Sequence, residues 1–416
     1  MIRGFSNLKG FVLGEKLPHT FSPRIHSMLS DYSYGVKEVA CGELESFMSS
    51  NEFDFLNVTI PYKKDVIKYL TSLSDDAQKI GAVNTVKRMP DGSLFGYNTD
   101  YYGFDYTLKK SGIDVADSKV LVLGSGGASM PVKAVLTDRG ARQIITISRS
   151  GENNYDNISK HYDADVIVNT TPVGMYPNND EKLIELSNFK SCKGVVDIIY
   201  NPQKTALLLE AESLGITNIG GLLMLVAQAK KAAEIFTDTI IDDAEIDKIA
   251  SLISFDVSNI ILVGMPSSGK TTIGKMVAEN TSRIFFDSDE EFEKIFSMTP
   301  AEAIERLGED EFRKMEHTVV KELGKKTGAI ISTGGGVVTR KENFAPLHQN
   351  GIIFFIDRDL DKLTSDNRPL SKKVGIEELY KERLPLYLDF CDKKVYNNDT
   401  PEKVAEEIIK LAKAGI

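Results

Sequence analysis

One short stretch, Gly264-Met265-Pro266-Ser267-Ser268-Gly269-Lys270-Thr271, constrains this chain more than any other. It follows the apolar run Ile260-Ile261-Leu262-Val263 and precedes an amphipathic stretch, Thr272 to Asn280, whose spacing predicts a helix. G-x-x-x-x-G-K-[ST] between a strand and a helix is the pattern of a phosphate-binding loop. Glycines let the backbone turn tightly and aim N–H groups at a polyphosphate, and the helix N-terminus adds partial positive charge. The residues expected to cradle the nucleotide are Gly264, Ser267, Ser268, Gly269, Lys270, Thr271 and Thr272. Lys270 can bridge the β- and γ-phosphates of ATP, and the Thr271 hydroxyl can hold Mg²⁺. A plain Gly/Ser turn joining strand to helix is the alternative, and the agreement of motif with context argues against it.

About 260 residues precede that loop, more than one ordinary domain of roughly 150 residues requires. The chain of 416 residues is therefore expected to hold two or three domains. Its apolar content of 42% and charged content of 26% are those of a globular protein. A net charge of −10 argues against a nucleic acid or a membrane surface as the main partner. Cys41, Cys192 and Cys391 are too scattered for a metal site or a disulfide framework, so a reducing cytoplasm is expected. No signal-peptide pattern and no run of membrane-spanning length is present.

In chain order, Phe11-Val12-Leu13 is a candidate first strand, Pro23 to Ser30 a helix, and Phe53 to Ile60 a strand. Val83–Val86 and Leu94–Tyr97 flank the turn Pro90-Asp91-Gly92, which predicts a hairpin. Lys119–Leu123, Gln143–Ile147, Asp165–Asn169 and Gly194–Ile198 alternate with helical patterns. That alternation predicts an α/β fold with a doubly wound parallel sheet. Leu222 to Phe236 reads as a long helix, Thr237 to Asn259 as an acidic, weakly patterned junction centred near Phe255. The second α/β domain would use strands Ile260–Val263, Arg283–Phe286, Ala329–Ser332 and Ile352–Ile356, and end in a helix from Pro401 to about Ala414.

The loop Gly124, Ser125, Gly126, Gly127, Ala128 lies between a strand and a helix, the position for a pyrophosphate in a dinucleotide-binding unit. The end of the next strand selects the cofactor. An NAD site places Asp or Glu there for the ribose hydroxyls. This chain has Ser148, Arg149 and Ser150 instead. A guanidinium between two hydroxyls suits a 2′-phosphate, which favours NADP(H) over NAD.

Polar clusters stand at strand ends in the first part: Thr20-Phe21-Ser22-Pro23, Asn57 to Lys63 with Thr59 among them, Asn84 in Gly81 to Thr85, and Asn98-Thr99-Asp100. Hydroxyls, amides, one lysine and one carboxylate suit a small polyhydroxylated acid, and a lysine beside an aspartate can handle the proton of a ketone/alcohol pair. Together with Asn169 to Met175 and Met224 to Ala229, these words fall in the order found in shikimate dehydrogenase, which residues 1 to about 240 resemble. The resemblance implies NADPH-dependent reduction of 3-dehydroshikimate, with Lys63 and Asp100 as the catalytic pair. It implies that Thr20 and Ser22 hold the substrate carboxylate and that Thr59, Asn84 and Gln228 bind its ring hydroxyls. It also implies a substrate domain over 1–102, completed by helices at about 222–250, around an inserted Rossmann NADP domain at 103–221. Threonine at 20 stands where the family usually has serine, Gly14 to Leu17 departs from its usual lead-in, Met130-Pro131 replaces arginine-alanine, and Ser148 and Ser150 replace asparagine and threonine.

Beyond the phosphate loop, Asp287-Ser288-Asp289 ends a strand, Phe312-Arg313-Lys314-Met315-Glu316 follows, and Gly334-Gly335-Gly336 comes after another strand. Arg368-Pro369-Leu370 and Arg383-x-x-x-Tyr387 complete the set. Two arginines near an acceptor suit a carboxylate. The combination resembles shikimate kinase over about 256–416. The resemblance implies phosphoryl transfer from ATP to the 3-hydroxyl of shikimate. Asp289 would take the hydroxyl proton, Arg313 and Arg383 would clamp the carboxylate beside Gly335, and Thr271 and Asp287 would hold Mg²⁺. Arg368 would close over the phosphates, from a segment, Asp357 to Asn367, that is short and acidic for that family.

The two parts would then catalyse consecutive steps on small-molecule substrates. The rivals are a quinate-type dehydrogenase in the first part, an inactive or regulatory half, and a nucleotide kinase in the second part. The retention of Lys63 and Asp289 argues against an inactive half. The oligomeric state is left open.

Overall fold

The computed structural model describes residues 4–17, 20–363 and 375–414. It resolves into two compact units. One holds Met1–Met175, Glu181–Tyr200 and Leu207–Ala250; the other holds Tyr176–Asp180, Asn201–Ala206 and Ser251–Ile416.

The first unit contains two sheets. One is built from β1 (Lys9–Gly14), β2 (Ser33–Glu38), β3 (Phe55–Val58), β4 (Ser72–Leu73), β5 (Thr85–Arg88) and β6 (Leu94–Tyr97), in the order β2-β1-β3-β5-β6-β4. β2, β1 and β3 run parallel, whereas β5 is antiparallel to both β3 and β6. The expected hairpin is β5–β6, with Arg88 opposite Leu94 and Gly92 at φ 86° in the turn. The strand expected from Phe53 to Ile60 is shorter, because the backbone turns after Val58 and the Tyr62 N–H bonds to the Thr59 carbonyl. That turn sets Thr59 and Lys63 beyond the C-terminal end of β3.

The helix Leu222–Thr237 packs Ala232, Ala233 and Phe236 against Phe55 of β3 and Tyr32. It also runs against the helix Asp100–Ser111. Gly103 makes that crossing close, since a Cβ there would lie 2.7 Å from the Met224 carbonyl and 3.0 Å from Gln228 Cβ.

The other sheet of this unit has β7 (Lys119–Leu123), β8 (Gln143–Ile147), β9 (Val166–Asn169), β10 (Gly194–Asp197) and β11 (Thr217–Ile219). All are parallel, in the order β11-β10-β9-β7-β8. β7, β9 and β10 are buried along their whole length, as parallel strands covered on both faces must be. The strand order reverses between β7 and β9, so the ligand crevice of this doubly wound sheet opens there, at the carboxyl ends of the strands.

The second unit has one parallel sheet of β12 (Asn259–Val263), β13 (Phe285–Asp287), β14 (Ile330–Ser332), β15 (Gly351–Asp357) and β16 (Lys393–Tyr396), in the order β13-β14-β12-β15-β16. Alternation along β12 sends Ile261 and Val263 into one core with Phe312, Val320 and Tyr387. It sends Ile260 and Leu262 into the other with Ile273, Val277 and Ile408. Helices therefore cover both faces.

One expectation is corrected. The stretch Thr237 to Asn259, expected as an acidic and weakly patterned junction, carries the helix Ala244–Val257, and the boundary between the units falls inside that helix. Ile246, Ile249 and Ile253 are buried at helical spacing among its acidic residues.

Candidate active sites

In the first unit the chemistry gathers where β3, the β5–β6 hairpin and two helices meet. Lys63 lies in the turn after β3, and Asp100 opens the helix Asp100–Ser111 after β6. Lys63 Nζ donates to Asp100 Oδ2 at 2.6 Å, with the two side chains only 19% and 13% exposed. Asn84 is fixed beside them: its Oδ1 accepts the Thr99 N–H at 2.7 Å and its Nδ2 donates to Thr99 Oγ1 at 3.1 Å. The Thr99 hydroxyl also reaches Gln228 Oε1 at 3.3 Å, which brings the helix Leu222–Thr237 into the group. Thr59 is anchored through its backbone N–H to the Leu13 carbonyl. Thr20 and Ser22 form a separate pair, Oγ1 to Oγ 3.1 Å, at the start of the helix Ser22–Leu29.

Three residues that the sequence did not single out, Thr85, Tyr34 and Tyr200, take part here. Thr85 bonds to Asn84 Oδ1 at 3.0 Å and receives the Asn57 amide at 3.1 Å, and Asn57 in turn accepts from the Tyr34 hydroxyl at 2.7 Å. This buried chain orients the Asn84 amide. Tyr34 stacks on His26, ring centroids 3.9 Å apart, and burial pushes His26 down to about 3 while Asn57 acts the other way. Tyr200, three residues after β10, lays its ring 5.6 Å from that of Phe21, the residue between Thr20 and Ser22; burial raises its phenol. A polar residue inside an apolar strand pair was the available signal for Thr85; Tyr200 carried none.

The dinucleotide crevice opens beyond β7. Gly124 has φ 101°, and a Cβ there would come within 2.8 Å of Thr171 Cγ2 and 3.0 Å of Thr170 Oγ1, so the loop passes tightly under the end of β9. Gly126 and Gly127 face open space, with nothing within 4 Å of the position a Cβ would take, and Ala128 caps the helix Ser129–Asp138. Open backbone at a helix N-terminus fits a pyrophosphate. Ser148, Arg149 and Ser150 follow β8; Arg149 is exposed and makes no ion pair among the described residues. Asp138, at the far end of the helix, accepts from Lys79 Nζ and the Tyr101 hydroxyl and ties it to the first sheet's helices.

In the second unit the phosphate loop follows β12 as expected. Ser267 and Gly269 adopt φ 64° and 94°, and the helix Lys270–Thr281 begins directly behind them. Lys270 Nζ donates to the carbonyls of Gly264 and Met265, each at 2.9 Å, so the loop is closed around its own lysine. Ser268 Oγ is buried with no partner, an orphan facing into the loop's fold. Thr272 stands exposed one residue beyond Thr271. Thr271 Oγ1 donates to Asp287 Oδ2 at 3.0 Å. A hydroxyl and a carboxylate at the head of this loop are the hard oxygen donors that Mg²⁺ takes alongside phosphate and water.

Asp287 also caps the helix Ser288–Phe296 through the Asp289 N–H at 3.0 Å, which aims Asp289 toward the glycine run after β14. A Cβ at Gly334 would lie 3.2 Å from Asp289 Oδ1 and 3.0 Å from Glu316 Oε1. Arg313 Nη1 donates to Glu316 Oε2 at 2.8 Å and lies flat against Gly336. Arg383 Nη1 and the Tyr387 hydroxyl both reach the Gly335 carbonyl, at 3.0 and 2.5 Å. The Nε atoms of Arg313 and Arg383 are buried without partners. Burial raises the Glu316 carboxyl, against the pull of Arg313. Two carboxylates and two arginines thus converge on Gly334–Gly336. Asn397, not singled out from sequence, holds the Ser268 carbonyl at 2.7 Å. The expectation for Arg368 lies outside the described residues. Among the described residues no cluster of three or more His, Cys, Asp or Glu forms a metal site, and no helix is long and apolar enough to cross a membrane.

These folds and sites define a chain with two nucleotide-using enzymes: a dinucleotide-binding oxidoreductase followed by a P-loop phosphotransferase. The family model of the shikimate dehydrogenase substrate binding domain matches residues 12–86, and that of shikimate kinase matches residues 266–413. A shikimate dehydrogenase (NADP(+)) of Clostridium beijerinckii is 38% identical over 252 residues, 56% of this chain and 93% of that protein. Among solved structures, a chorismate mutase/shikimate 5-dehydrogenase fusion protein from Clostridium acetobutylicum is 36% identical at a TM-score of 0.56, covering 59% of this chain and 96% of that one. Shikimate 5-dehydrogenase from Thermus thermophilus, in complex with NADP(H) and shikimate, is 30% identical at a TM-score of 0.54, covering 58% and 98%. The chain belongs to the shikimate dehydrogenase family through its N-terminal part and continues into a shikimate kinase domain, a bifunctional enzyme of the shikimate pathway.

Proposed function

We propose that the first site reduces the C3 ketone of 3-dehydroshikimate with NADPH, and that the second phosphorylates the 3-hydroxyl of the resulting shikimate with Mg-ATP. The observation that carries the first assignment is the short, shielded contact of Lys63 with Asp100. Asp100 keeps the ammonium oriented, and Lys63 Nζ delivers its proton to the C3 oxygen as the alcohol forms. NADPH, when bound along Gly124, Gly126, Gly127 and Ala128 with its 2′-phosphate at Ser148, Arg149 and Ser150, supplies the hydride. Thr20 and Ser22 take the substrate carboxylate; Thr59, Asn84 and Gln228 hold the ring hydroxyls, with the Thr85 and Asn57 chain locking Asn84 in place.

The second assignment rests on the convergence of Asp289, Arg313, Glu316 and Arg383 on the glycine run. Asp289 accepts the proton of the attacking hydroxyl. Arg313 and Arg383, whose buried Nε donors lack partners, clamp the substrate carboxylate beside Gly335. Mg-ATP supplies the phosphoryl group. Lys270 turns from its own loop carbonyls to the phosphates, Gly264, Ser267, Ser268, Gly269 and Thr272 line them, and Thr271 and Asp287 hold the metal. Both reactions are assigned to the cytoplasm, where three unpaired cysteines stay reduced.

A two-stage assay on the purified chain tests this. With 3-dehydroshikimate and NADPH, loss of NADPH absorbance is expected, and added Mg-ATP should then yield shikimate 3-phosphate by mass. NADPH loss with 3-dehydroquinate but not with 3-dehydroshikimate would overturn the first assignment, and shikimate left unphosphorylated would overturn the second.

A further inference from the structure

The strand order of the second unit fixes which way a nucleotide must lie. Groups for the acceptor follow β13 and β14, the phosphate loop follows β12, and β15 and β16 lie on the opposite side. In-line transfer puts the acceptor and the leaving diphosphate on opposite sides of the transferred group. The nucleoside end therefore extends toward the ends of β15 and β16. Arg358 is the first residue after β15. Its Nη1 lies 3.3 Å from the Ser267 carbonyl of the phosphate loop, and its Nε is buried with no partner.

The acids around Arg358 are committed elsewhere. Asp357 pairs with Lys394 Nζ at 2.9 Å and accepts from the Tyr380 hydroxyl at 3.1 Å. Asp359 pairs with Lys362 at 3.1 Å and accepts from Asn398 Nδ2 at 2.8 Å. The Asp359 N–H returns to Asn398 Oδ1 at 3.2 Å, so the segments after β15 and β16 are locked to each other. Among the described residues Arg358 makes no ion pair. A contact of 3.3 Å to a carbonyl is at the long end for a hydrogen bond and does not require a full charge.

We propose that Arg358 is a nucleotide-binding residue of the kinase site. Its guanidinium engages the phosphates on the nucleoside side of the loop, adding a cation to Lys270 from the opposite wall. The inference rests on the kinase reading above. Arg358 directly follows β15 and is a different group from Arg368, which lies outside the described residues.

The test uses the full chain with ADP as the probe. Isothermal titration is run on wild type, Arg358→Lys and Arg358→Gln, at low and high salt, beside steady-state kinetics. Arg358→Gln keeps a donor for the Ser267 carbonyl but removes the charge. The expected result is an ADP affinity about tenfold weaker at low salt and a matching rise in KM for ATP, as for loss of one charge-assisted contact. Arg358→Lys should recover part of it, while kcat, KM for shikimate and dehydrogenase activity stay unchanged. Unchanged ADP binding in Arg358→Gln overturns the inference and leaves Arg358 a brace of the loop. A loss of equal size at both salt levels, or one shared by KM for shikimate, does so as well. Wild type that binds no ADP overturns the kinase reading and this inference together.

Discussion

Lys63 Nζ sits 2.6 Å from Asp100 Oδ2, joining a turn after one strand to the first residue of a helix after another. Replacing Lys63 by Ala removes the proton donor and leaves the Asp100 carboxylate without its partner. Turnover of 3-dehydroshikimate is expected to fall by roughly 10²–10⁴-fold, while phosphorylation of added shikimate is unchanged. NADPH absorbance and a coupled ADP assay measure the two. Equal loss of both activities would contradict separate sites.

The reverse separation is expected at Lys270, whose ammonium spans the carbonyls of Gly264 and Met265. Lys270→Ala should abolish phosphoryl transfer and leave NADPH oxidation intact. Retained formation of shikimate 3-phosphate would take this loop out of the mechanism.

Arg149 stands exposed after β8 with no ion pair to give up among the described residues. Arg149→Gln is expected to raise KM for NADPH by about tenfold, the size of one charge-assisted contact to a phosphate. KM for NADH should not move. Parallel shifts for both cofactors would mean that the 2′-phosphate is read elsewhere.

Gly336 gives a steric handle on Arg313. Its φ of −101° is open to any residue, yet a Cβ would lie 2.1 Å from Arg313 Nη2. Gly336→Ala must push the guanidinium aside without straining the backbone. A rise in KM for shikimate of about tenfold is expected, read from saturation curves at fixed Mg-ATP, with dehydrogenase activity unaffected. An unchanged KM would remove Arg313 from the acceptor pocket.

His26 predicts a pH dependence of stability. Burial lowers it from 6.5 to about 3, so below 6.5 the unfolded chain takes up a proton that the folded chain refuses. Its contribution is complete above pH 6.5 and is lost as pH falls toward 3, at about 1.4 kcal/mol per unit. Between pH 7.5 and 5.0 the wild type should lose about 2 kcal/mol more than His26→Gln does. Urea unfolding followed by loss of dehydrogenase activity gives both slopes; identical slopes would show that His26 is not the group responsible.

The glycine loops, the parallel strands and the polar words at strand ends were readable because each is a local pattern. A Gly-rich turn between a strand and a helix has one geometry, and residues such as Lys63 and Asp289 announce themselves by standing at strand ends. The helix Ala244–Val257 was masked by acidic residues interleaved with its buried isoleucines, although their spacing was present. What no local pattern held are the contacts made across long stretches of chain. Thr85 receives Asn57, Tyr200 meets Phe21, Gly103 admits Gln228, and Arg358 reaches the loop at Ser267. The sequence by itself determined which chemical groups exist and which turns and helices carry them, because backbone sterics and side-chain periodicity act between near neighbours. Only the tertiary structure decided which of those groups share a site, because that depends on strand order and on how closely helices cross.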